Sequence, residues 1–137
     1  MTQASMRFTS DVTVIDAVRD FVRDQAAAGG FGDESVYSLQ LAIVEAVTNV
    51  IVHAYEGELG HPIWLDVELD EAGMTVVLRD QGRSFDLKTF PDPDLKRHLT
   101  DHIRGGLGVF LMRKLMDELE LRRDGAFNVL TMRKRLE

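Results

Sequence analysis

Three groups of residues have the types and spacing to do chemistry. Glu45, Asn49 and His53 are four apart, so they fall on one face of a helix that is otherwise apolar. Ala42 and Ala46 lie on the same side and are small enough to leave room. A carboxylate on a buried face is costly unless it is paired or put to use. The plainer reading is a polar stripe that meets solvent, with His53 a satisfied structural histidine. The second group, Asp80-Gln81-Gly82, stands where a strand should end. An Asp there can accept a hydrogen bond from an exocyclic amine, and a Gly two residues on lets a flat ring approach the backbone. The same residues also suit an ordinary turn. The third, Gly105-Gly106-Leu107-Gly108, opens a helix. Glycines there expose backbone amides at the positive end of the helix dipole, which suits a phosphate, although a hinge would use them equally well. No strand precedes them and no Gly-Lys-Ser/Thr follows, so neither the dinucleotide fingerprint nor a P-loop is present.

In this order the three groups form a set of parts for binding a purine nucleoside triphosphate with Mg²⁺. Asn49 would offer one oxygen to the metal, which keeps waters and phosphate oxygens as its other ligands.

The elements that must position these residues are legible from periodicity. Residues 12–28 carry Ile15, Val18 and Val22 at helical spacing, with Ser10 or Asp11 as cap and Gly29-Gly30 as stop. Residues 33–55 form a second helix, apolar nearly all round and therefore buried on most sides, with Gly57 just past its end. The period then changes to two. Ile63, Leu65, Val67 and Leu69 mark one strand, residues 70–73 a turn, and Met74, Val76 and Leu78 a second strand ending at Arg79-Asp80. An irregular segment with Pro91 and Pro93 follows, then a helix over 107–118. Strands over 119–122 and 129–134 flank the hairpin signal Asp124-Gly125, and residues 6–9 add an edge strand. Strands joined mostly by tight turns predict an α/β (α+β) two-layer sandwich: a mixed, mostly antiparallel sheet with helices on one face.

Composition narrows the function. The 137 residues are read as one domain. The chain has no cysteine, which excludes a disulfide scaffold, a thiolate metal site and a cysteine nucleophile. Sixteen Lys+Arg against 23 Asp+Glu give a net charge of −7, poorly suited to direct nucleic-acid binding or to an anionic membrane. The first residues have neither the basic nor the apolar region of a secretory signal, and Glu45 and Asn49 interrupt the apolar run over 41–52. A cytoplasmic location is the expectation. His98 and His102 are four apart, but Leu99 stands where a zincin needs Glu, so a solvated helix is expected there. The basic cluster Arg122, Arg123, Arg133, Lys134 and Arg135 is expected to lie on two facing strand surfaces, paired with nearby acids; a partner-binding patch is the other option.

The three groups resemble the sequence boxes of the GHKL ATPase superfamily. Glu45-Ala46-Val47-Thr48-Asn49 with Val52-His53-Ala54-Tyr55 resembles its N-box. Asp80-Gln81-Gly82-Arg83-Ser84-Phe85-Asp86 resembles its first glycine box, and Gly105-Gly106-Leu107-Gly108-Val109-Phe110-Leu111 with Leu115-Met116-Asp117-Glu118 its second. Within the superfamily the chain is most similar to single-domain anti-sigma-factor serine kinases, a likeness extended by residues 124–131. The resemblance implies the GHKL (Bergerat-type) ATP-binding fold over one domain, 1–137. It implies ATP and Mg²⁺ as cofactors, with Asn49 as the metal ligand, Asp80 on the adenine amine and Gly82 behind the ring. Gly105, Gly106, Leu107 and Gly108 would form the phosphate loop, and Glu45 would orient or deprotonate the attacking hydroxyl. Residues 86–104 would be the ATP lid, with Arg104 near the γ-phosphate and Arg97 its rival. The implied activity is phosphorylation of a serine on a STAS-domain anti-anti-sigma protein, switching the sequestration of a sigma factor or similar regulator. A homodimer is implied as well. Alternatives are an ATP-responsive binding module without turnover and a histidine-kinase-type catalytic domain acting in trans.

Overall fold

The computed structural model describes residues 2–84 and 107–136. The chain runs β1 (Thr2–Thr9), a 3₁₀ turn (Val12–Val14), α1 (Ile15–Ala28), α2 (Asp33–Asn49), a π-helical turn (Val50–Ala54), β2 (Pro62–Leu69), β3 (Gly73–Asp80), α3 (Leu107–Leu115), β4 (Glu118–Asp124) and β5 (Phe127–Arg135). The strands form one sheet in the order β1-β2-β3-β5-β4, and every pairing among the described residues is antiparallel. The sandwich is as expected, but among the described residues the sheet is antiparallel throughout and not mixed.

Alternation in β2 decides which face is covered. Ile63, Leu65, Val67 and Leu69 are buried, and they join Met74, Val76, Leu78, Leu130 and Met132 in one core. The same core takes Val18, Val22 and Ala26 from α1, Leu39, Ile43 and Val47 from α2, and Val109 and Met112 from α3. The three described helices therefore lie on one face, and removing these side chains from water is the main term holding the two layers together. By length and composition the helical run Asp33–Ala54 could cross a membrane. Its place in this core, between α1 and α3, is that of the central helix of the helical layer.

Three helix boundaries differ from the periodicity reading, each for a local reason. The first helix opens as a 3₁₀ turn because Asp11 Oδ1 accepts from the Thr13 N–H at 3.0 Å, while Ser10 is buried and bonded to Glu58 and His61 instead. The last helix stops at Leu115, not 118. There the Asp117 N–H donates to the Arg133 carbonyl (2.8 Å) and draws the chain into the sheet, and Lys134 Nζ caps the Leu115 carbonyl at 3.0 Å. The second helix widens after Asn49: the Tyr55 N–H reaches back five residues to the Val50 carbonyl at 2.9 Å. The edge strand is also longer than expected, with Thr2 to Thr9 all in register with β2.

The basic cluster finds partners, although not all are acids. Arg133 pairs with Asp70 at 3.1 Å, Arg135 with Glu118 at 3.3 Å and Arg122 with Asp124 at 3.6 Å. Arg123 instead bonds groups of the site described next.

Candidate functional site

The middle of α2 meets the start of α3. Glu45 and Asn49 are half-buried there, one turn apart. A Cβ added to Gly108 would sit 2.7 Å from Glu45 Oε2 and 3.6 Å from both Asn49 Oδ1 and Nδ2. A Cβ there would displace only the end of the Glu45 side chain, so the first turn of α3 lies directly against the Glu45–Asn49 pair. The amide end of α3 carries partial positive charge, which suits an anion placed near it. The π-helical turn breaks the four-residue spacing beyond Asn49, and His53 is exposed. Of the expected stripe, only Glu45 and Asn49 stay in register.

Asp80 closes β3 with 2% of its surface exposed. Its Oδ1 accepts from the Gly82 N–H at 2.8 Å and from Asn128 Nδ2 at 2.8 Å. Burial pushes its carboxyl above the usual carboxylate range, and the bonds from Asn128 and Gly82 and the nearby Arg123 charge work against that rise. The glycine two residues on is packed against the end of the same helical run. A Cβ on Gly82 would lie 2.5 Å from the Ala54 carbonyl oxygen, and the Arg83 N–H donates to that oxygen at 2.7 Å. Tyr55 ties the same box down. Its hydroxyl donates to the Pro62 carbonyl (2.6 Å) and accepts from the Gln81 N–H (2.7 Å). Burial raises the Tyr55 hydroxyl, and the Asp80 charge adds to it. The run 33–54 is thus a common wall: its middle meets α3, and its widened end seats the Asp80-Gln81-Gly82 turn.

The profile of the family described as "Histidine kinase-like ATPase domain" matches residues 8–134. The chain belongs to this family. Among relatives, "Serine-protein kinase RsbW" of Halalkalibacterium halodurans is 35% identical over 127 residues, 90% of this chain and 76% of the relative. The protein of that name from Listeria innocua is 35% identical over 109 residues, covering 77% and 69%. That from Bacillus pumilus is 30% identical over 130 residues, covering 90% and 80%. The chain is therefore a GHKL-type ATPase domain related to serine-protein kinases.

In this family member, Glu45, Asn49 and Gly108 come together, and Asp80 and Gly82 share the wall formed by Ala54 and Tyr55. Leu107 opens α3, but nothing further is described of its side chain. Arg104, Gly105 and Gly106 lie outside the described residues, as do the lid over 86–104, Arg97, His98 and His102. Two contributors escaped the sequence reading. Asn128 faces the core at 2% exposure, directly across from Asp80 in the β3–β5 register. Its Nδ2, with two hydrogens for three acceptors, also lies within hydrogen-bond reach of the carbonyls of Arg83 (3.0 Å) and Gly82 (3.3 Å). Arg123 Nη1 donates to the Gly82 carbonyl and to Asn128 Oδ1, both at 3.0 Å. No sequence signal marked Asn128, which falls just before the strand expected over 129–134; only the observed β5, starting at Phe127, brings it into the sheet opposite Asp80.

The residues present fit a nucleotide with Mg²⁺. Asn49 offers a hard oxygen donor beside the Glu45 carboxylate, and the space that a Cβ on Gly108 would fill lies against both. A single amide oxygen suits an ion whose other ligands are phosphate oxygens and water.

Proposed function

We propose that this chain is a serine-protein kinase of a partner switch. It would bind Mg²⁺–ATP, phosphorylate a serine on a STAS-domain antagonist in the cytoplasm, and hold a sigma factor or similar regulator in the alternative state. The observation that carries the reading is the contact of Gly108 with Glu45 and Asn49: a helix amide end, a metal-capable amide and a carboxylate share one spot. Phosphoryl transfer depends mainly on positioning and charge neutralisation, which Glu45, the amide end of α3 and a metal held at Asn49 would supply. Asn49 would hold the metal through its amide oxygen. Asp80 would accept from the exocyclic amine of adenine, and Gly82 would let the ring lie against the backbone. Bound here, Mg²⁺–ATP supplies the transferable phosphoryl group. Glu45 would aim the serine hydroxyl and take its proton. Residues 86–104 are assigned as the lid, and Arg104 with Gly105 and Gly106 as its phosphate-side end, from sequence.

A STAS-domain partner incubated with this protein and Mg²⁺–ATP should gain the mass of one phosphate. A tight complex without that gain would replace the kinase reading with that of an ATP-responsive binding module.

A further inference from the structure

The hydrogen bonds around Asp80 are asymmetric. Among the described residues both donors, the Gly82 N–H and Asn128 Nδ2, fall on Oδ1. Asn128 is buried, and its orientation is fixed from two sides. Its Nδ2 faces three acceptors: Asp80 Oδ1 at 2.8 Å, Arg83 O at 3.0 Å and Gly82 O at 3.3 Å. Its Oδ1 faces a donor, Arg123 Nη1, at 3.0 Å. A flipped amide would set oxygen against three oxygens and nitrogen against a guanidinium, so one orientation alone is allowed. Arg123 then locks the far side, because the same Nη1 also donates to the Gly82 carbonyl.

We propose that Asn128, held by Arg123, is the positioning residue for nucleobase selection: it pins Asp80 Oδ1 so that Oδ2 is kept for the amino group of a 6-aminopurine. This inference rests on the adenine-binding role proposed for Asp80. A carboxylate free to rotate would offer either oxygen to the backbone and would not present a fixed acceptor to a ligand. Pre-organisation by a buried, fully bonded amide removes that freedom before the ligand arrives. A buried polar site of this kind rejects a ligand lacking the matching group, because the acceptor is then left without a donor. The coupling also reaches from the β4–β5 hairpin, which carries Arg123 and Asn128, to the turn at Gly82.

The test compares ATP with purine riboside triphosphate, which lacks only the 6-amino group, using calorimetry on the full chain with Mg²⁺. Wild type should prefer ATP by about tenfold or more, the value of one charge-assisted hydrogen bond. Asn128→Ala should cut that preference to about threefold or less while binding of the analogue stays within about threefold of wild type. A preference that survives Asn128→Ala overturns the inference, and so does an equal loss for both nucleotides, which is what a purely structural role would produce. Wild type that binds both nucleotides equally would remove the adenine role of Asp80 itself. Arg123 is exposed, so Arg123→Ala provides a second variant should Asn128→Ala fail to fold. It should narrow the preference in the same direction, and an unchanged preference would overturn the coupling.

Discussion

Replacing Asp80 with Asn separates nucleotide binding from folding. The two internal bonds to Asp80 both fall on Oδ1, so the Asn side chain can keep them with its own oxygen. Its amide nitrogen then takes the place of Oδ2 and presents a donor where an acceptor stood. A ligand amine would lose a charge-assisted hydrogen bond worth about 1.5–3 kcal/mol, which is about a 10- to 150-fold loss of affinity. The effect on stability has the opposite sign. Burial raises the Asp80 carboxyl in the folded state above its ordinary value of 3.8. A raised acid contributes fully to stability below its unfolded pKa, and that contribution is lost as pH rises through the folded value. At pH 7 the wild type bears the cost of a buried carboxylate and the Asn variant does not. Urea denaturation without nucleotide at pH 7 should therefore find Asp80→Asn at least as stable as wild type, with the advantage vanishing near pH 4. Calorimetry with Mg²⁺–ATP should find binding weakened at the same pH. Unchanged ATP affinity would remove Asp80 from the site, and a variant less stable than wild type at pH 7 would refute the burial argument.

Glu45→Ala should leave ATP affinity within a few-fold and lower phosphate transfer by about 10²-fold or more, the size of a general-base contribution, whereas Asn49→Ala should lose Mg²⁺-dependent binding in the same titration. Gly82→Ala should destabilise the chain by about 1–3 kcal/mol in urea, since its Cβ would meet the Ala54 backbone and not a side chain that can swing aside. Tyr55→Phe removes one hydroxyl that serves both the Pro62 carbonyl and the Gln81 N–H; it should cost about 1 kcal/mol in urea and weaken ATP binding further by loosening the turn at Gly82.

The fold was largely legible because each layer announces itself in one residue period. The alternation from Ile63 to Leu69 sets which side of β2 faces the helices, and the nearly all-round apolar pattern of residues 33–55 places that helix centrally. What periodicity could not set were the points where one element ends by bonding to another. The helix that stops at Leu115 does so because Asp117 pairs with Arg133, a residue far along the chain. The widening after Asn49 is a backbone choice that leaves the residue pattern almost unchanged.

The candidate site divides the same way. Residue type alone marks Glu45 and Asn49, because a carboxylate or amide in an apolar helix conflicts with local packing rules unless it is used, whereas Asp80 and Gly82 also suit a plain turn and were marked by the resemblance to the GHKL boxes. Tertiary structure alone decides that Gly108 lies against Glu45 and Asn49, and that Gly82 lies against Ala54. It also decides that Asn128, which reads as an unremarkable polar residue after a hairpin, sits opposite Asp80 and orients it. The physical reason is range. Periodicity and side-chain chemistry act over one or two turns of chain, whereas a hydrogen bond between residues 48 positions apart exists only once strand register has brought them within 2.8 Å.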